Sequence, residues 1–144
     1  MIQIIYDDLF NAMFSVGGHD VKSFLNLKTG EVKMIHEDVE DAKETKANVK
    51  AHPKRYLEIP ELGSTESFEF MEEFIQKIES PEVAEILRKA LNQRKPFRRF
   101  KDALSDFPKE CDAWYGFEEE CQLKWAKQWI ETEEIEAELV FAVF

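Results

Sequence analysis

The residues best equipped for chemistry in this chain are a run of cations. Between Ile86 and Lys101 the sequence reads ILRKALNQRKPFRRFK, with Arg88, Lys89, Arg94, Lys95, Arg98, Arg99 and Lys101 and no acid. These seven charges belong to a chain of net −11, so everything outside the run sums to −18. Guanidinium groups grip phosphate or carboxylate through paired N–H donors, and a helix starting at Pro96 would add free backbone N–H groups and the positive end of its dipole. Residues 88–101 are therefore expected to form a basic patch for an acidic or phosphorylated partner, with Arg94, Lys95, Arg98, Arg99 and Lys101 as the binding residues. A second reading stays open. From Glu110 to Glu138 ten acids accompany only Lys124 and Lys127, and such helices could neutralise the patch within the protein itself.

The leading expectation is a non-enzymatic interaction module. The alternative is an enzyme acting on a phosphorylated small molecule, with the same cations as anion holders beside an acid such as Asp102 or Glu58. A deep pocket next to Arg98 holding a carboxylate of raised pKa would favour the enzyme; a flatter patch favours the module. No catalytic residue is assigned, because the chain has no glycine-rich phosphate loop, no GxSxG and no HExxH. His19, His36 and His52 are sixteen or seventeen residues apart, without metal-ligand spacing, so neither a metal nor a cofactor is expected. Nucleic acid is not the expected partner: the protein is acidic overall, and Phe97 and Phe100 share a helical face with Leu104 that reads as core rather than as a stacking platform.

With 144 residues, 44% of them hydrophobic, and twelve Phe, the chain is expected to fold as a single domain over 1–144 with a substantial core. Cys111 and Cys121 fall on one predicted helix, about 15 Å apart, too far to bridge; two reduced thiols fit a cytoplasmic protein. Asp7 and Asp8 cut short the apolar start, so neither a signal peptide nor a membrane span is expected.

The elements that must carry the patch follow from periodicity. Ile2, Ile4 and Ile5 read as a short strand or a first helical turn. Leu9, Phe10, Met13 and Val16 then recur at helical spacing after an Asp7 or Asp8 cap, and Gly17-Gly18 closes the helix. Residues 21–35 alternate around Gly30 as an antiparallel hairpin, and 55–59 form a third strand stopped by Pro60. The polar stretch Glu37 to Pro53 reads as a loop with a helical turn near Val39 to Lys46. The second half is helical, with a lead-in at Ser64-Thr65, a Ser80 cap before Pro81, a break at Pro96 and a long helix after Pro108. The second of these helices is expected to bury Val83, Ile86, Leu87, Ala90 and Leu91. Trp114, Trp125 and Trp129 fall near one face of the last. Residues 135–143 alternate like a C-terminal strand, and the apolar end LVFAVF is expected to be covered, either added to the hairpin sheet or exchanged across a homodimer. The fold class is α+β: a small antiparallel sheet packed with four or five helices.

These segments in this order, FLNLKTGEV (24–32), RYLEIP (55–60), FMEEFI (70–75), FRRFKDAL (97–104) and WYGF (114–117), resemble Uncharacterised Protein Family 0158, a group of small bacterial proteins. The resemblance spans roughly residues 7 to 131 and leaves out the tail from Thr132. It implies a bacterial α+β domain and brings no activity, cofactor or catalytic residue with it.

Overall fold

In the computed structural model, which describes residues 1–14, 21–36 and 42–141, the elements run β1 (Ile2–Ile5), α1 (Tyr6–Phe14), β2 (Val21–Asn26), β3 (Val32–His36), α2 (Ala42–Ala51), β4 (Tyr56–Glu58), α3 (Ser64–Gln76), α4 (Pro81–Leu91), α5 (Pro96–Leu104), α6 (Pro108–Thr132) and β5 (Ala137–Val140). The architecture is α+β. Contacts divide the chain into two units, residues 1–62 with 124–144 and residues 63–123.

In the first unit β2 is the central strand of an antiparallel sheet of order β3-β2-β4, in which Leu25 pairs with Val32 on one side and Leu57 on the other. Gly30 turns the hairpin at φ +83°, where a side chain is strained, and a Cβ there would collide with the backbone carbonyl oxygen of Gln3. The C-terminal strand does not join this sheet, where it was expected to add if it paired within the chain. β5 instead lies parallel to β1, pairing Ile2 with Ala137 and Ile4 with Leu139. The geometry of the α6 terminus sets this course: Glu134 takes the left-handed conformation (φ 55°), the N–H of Ile135 reaches the carbonyl of Ile130 at 3.0 Å, and that of Glu134 reaches Glu131 at 3.0 Å. Those two bonds satisfy the last carbonyls and turn the chain away from the helix. Ile4, Leu9, Met13 and Leu25 form the core with Ala126 and Ile130 of α6, and Trp125 and Trp129 pack half-buried against them. Phe141 is exposed, and residues 142–144 lie outside the described range.

Two differences from expectation have simple causes. Asp7 and Asp8 sit inside the first turn of α1, not at its cap, because the helix follows β1 without a break; the Gly17-Gly18 stop lies outside the described residues. The polar stretch holds a full helix, α2, whose sequence AKETKANVKA is rich in strong helix formers but carries little apolar periodicity.

The second unit is helical. Met71, Phe74 and Ile75 of α3, Leu87 and Leu91 of α4, and Phe100 and Leu104 of α5 enclose Trp114 of α6, which is 1% exposed. Phe74 and Phe100 meet its indole nearly at right angles, with centroids 5.3 and 5.1 Å away. Among the described residues, its buried indole N–H has no hydrogen-bond partner. Ser80 caps α4, its hydroxyl accepting from the Val83 N–H at 3.4 Å, and Pro81 opens the helix as the sequence indicates. Ile86 is not core: Ala84 is buried in its place, and Ile86 is 43% exposed.

Gly30→Ala should lower stability by at least about 2 kcal/mol, since it combines a positive φ with a backbone collision. Glu134→Gly should raise it by up to about 1 kcal/mol by relieving left-handed strain. Urea unfolding of the two variants measures both, and opposite signs are expected.

Candidate functional site

The expected cations are carried by the end of α4, the turn Asn92–Lys95 and the outer side of α5. Helical geometry explains the segregation. At roughly 100° per residue, Phe97, Phe100 and Leu104 fall on one side of α5, which leaves Arg98 and Arg99 on the outer side and Lys101 on a flank. Phe100 and Leu104 are buried and Phe97 packs against the same cluster, so the rings are committed to the core. Arg94, Lys95, Arg98, Arg99 and Lys101 are all exposed.

The entry to α5 is unusual. Its N-cap is Lys95, held in the left-handed conformation at φ 55°, ψ 57°, and no side chain caps the first N–H groups. A non-glycine residue there costs roughly 1–2 kcal/mol. The turn is braced from the helix side, where Arg99 donates from Nε to the carbonyl of Arg94 at 2.9 Å. That bond fixes the guanidinium while its remaining donors stay available.

Arg99 borders a groove of about 350 Å3 between α4 and α5, where Lys89 and Gln93 form the rim and Ile86, Ala90 and Ala103 the apolar surface. Asp102 adds one carboxylate. The structure thus joins Arg99 with Lys89, a residue that the sequence placed in the basic run but not among the binding residues. Ile86 was also missed as a surface feature, although its spacing to Lys89, Ala90 and Gln93 puts all four on one side of α4.

Few of these charges are neutralised. Arg88 pairs with Glu85 at 2.8 Å and Arg98 approaches Asp102 at 4.0 Å, both on the surface, where such pairs contribute little. Among the described residues, Arg94, Lys95, Arg99 and Lys101 have no carboxylate within ion-pair distance. Glu118 of α6 interacts electrostatically with Lys101 of the segment. Glu118 is half-buried, and burial raises its carboxyl pKa above the usual value; the charge of Lys101 opposes that rise, and Glu119 adds to it. Glu58, offered with Asp102 as the acid of an enzyme, belongs to the other unit. Glu118, whose carboxyl pKa is raised, is not part of the groove's lining, and the side chain of Asp102 is 74% exposed.

No three His, Cys, Asp or Glu side chains come together as metal ligands among the described residues. His19 lies outside them. Cys111 and Cys121 are both on α6 and form no disulfide. Among the described residues, no helix is long and apolar enough to cross a membrane.

A family model described as uncharacterised protein family (UPF0158) matches residues 3–142. The chain belongs to this family. The match extends beyond the segments that carry the resemblance and takes in β1 and β5, so the parallel pair closing the first unit lies within it. A relative, "UPF0158 protein PA5073" of Pseudomonas aeruginosa PAO1, is 31% identical over 129 residues, covering 90% of this chain and 84% of its own. No solved structure matches the chain. UPF0158 brings no activity with it, so the surface chemistry of α4 and α5 is the starting point for function.

Because burial dominates at Glu118, ionising it disfavours the folded state. Its contribution to stability is fully present below the ordinary carboxylate pKa and is lost as pH rises through the raised folded value. Glu118→Gln should therefore raise the melting temperature at neutral pH, and the gain should vanish under acid conditions where the wild-type carboxyl is protonated. A melting series across that range measures the effect.

Proposed function

We propose that this protein is a non-enzymatic interaction module of the bacterial cytoplasm, docking an anionic segment of a protein partner on the basic face of α4 and α5. The observation that carries this reading is a set of exposed cations, Arg94, Lys95, Arg99 and Lys101, without carboxylate partners among the described residues, in a chain of net −11. An unneutralised positive patch on an acidic protein selects its partner by charge complementarity, and the acidic remainder repels other anions. The groove beside it adds shape: Ile86, Ala90 and Ala103 accommodate one apolar side chain while Lys89 and Arg99 hold the flanking acids. The occupant is thus an acidic segment bearing a single apolar residue, its charge carried by carboxylates or by phosphoryl groups.

The test is fluorescence anisotropy with two labelled peptides, one Glu-rich around a leucine and one with phosphoserine replacing the glutamates. Binding should weaken steeply with salt, and Arg98→Ala with Arg99→Ala should weaken it by about tenfold or more without lowering the melting temperature. Lys95→Gly separates charge from folding: it should hold or raise stability by relieving the left-handed strain, yet still reduce affinity. If neither peptide binds, or if the double variant unfolds the protein, these cations are structural and the reading fails.

A further inference from the structure

The geometry points to a second anion site, on the other unit: an open surface depression between the hairpin turn and the loop after α2 that takes a phosphorylated small molecule. It is lined by Lys28, His52, Lys54 and Arg55, with Leu27, Ala51 and Pro53 completing the wall, and no carboxylate is among them. Lys28, Lys54 and Arg55 form no ion pair with another described residue. Three cations share this lining without an acid, and a bound anion would offset their mutual repulsion.

The frame is fixed by backbone bonds that need no ligand. The Oδ1 of Asn26 accepts from the N–H groups of Lys28 at 2.9 Å and Thr29 at 3.2 Å. The N–H of Gly30 closes on the Asn26 carbonyl at 2.8 Å, that of Leu27 reaches the Arg55 carbonyl at 2.7 Å, and that of Arg55 reaches His52 at 3.0 Å. Lys28 and Arg55 therefore extend from main-chain positions set in advance, which lowers the ordering cost of binding.

Charge and lining choose the ligand. Three formal positive charges match a phosphoryl or diphosphoryl group, whereas one carboxylate would leave most of them unmatched. Beside the cations, Leu27, Ala51 and Pro53 offer apolar surface to an organic body. Contact-range attraction persists despite the net −11, because distant charge is screened beyond roughly 8–10 Å. Nothing here rests on the α4–α5 patch, so each site can fail without the other.

The experiment is calorimetric titration and amide NMR of the full chain with inorganic phosphate, pyrophosphate and ADP, against sodium chloride at matched ionic strength. Pyrophosphate and ADP should shift the amides of residues 26–30 and 51–55, and ADP should bind at least about threefold tighter than inorganic phosphate. Lys28→Ala with Lys54→Ala should weaken ADP about tenfold, with an unchanged melting temperature because both side chains are exposed. Arg55→Gln, which keeps the backbone carbonyl bonded to Leu27, should weaken it similarly, and Arg98→Ala with Arg99→Ala should leave it unchanged. Equal affinity for phosphate and ADP would overturn the organic body. Responses no larger than with chloride, or shifts outside the two loops, would overturn the site.

Discussion

The arrangement of the first unit depends on one close approach, the bare Cα of Gly30 against the main chain of Gln3. Any side chain there would push the hairpin turn off β1. With the turn seated, the N–H of Gly30 closes on Asn26, which sets the register of β2 against β3 and aligns Asn26 with Tyr56 on the other edge. Seating also keeps β1 in place to bury Ile4 and to offer its free edge to β5. A glycine chosen for its turn thus does a second job through what it lacks.

The second unit is organised by a division of faces. α5 is only nine residues long, yet its rings all turn inward and its cations outward, so the hydrophobic effect that packs Phe100 against Trp114 also displays the arginines. Two features run against stability: the left-handed Lys95 and the half-buried Glu118.

Much of this organisation was legible from residue types. The hairpin, β4, the Ser80-Pro81 start and the Pro96 break were readable because turn and cap chemistry is local: Gly30 and Ser80 act on atoms a few residues away. What was not legible depends on partners distant in the chain. The pairing of β5 with β1 involves strands separated by almost the entire sequence, and alternation alone names no partner. α2 escaped notice because it is stabilised by propensity, with little periodicity to betray it. Ile86 read as core since an apolar residue one step off the true stripe looks the same in sequence. For the candidate site, the cations were visible as composition, but the groove with Lys89, and the depression joining Lys28 to residues 51–55, exist only once elements have been packed.

The parallel pairing of β1 with β5 has a consequence for how the chain is made. Residues 63–123 are contiguous, so the helical unit can assemble without waiting for β5. The first unit cannot. β1 waits, on the order of ten seconds at ordinary translation rates, for a mate made about 130 residues later. During that interval Ile2, Ile4 and Ile5 have no strand partner, and an apolar edge of this kind can recruit a neighbouring chain. The exposure of β1 ends only when β5 has been made and paired.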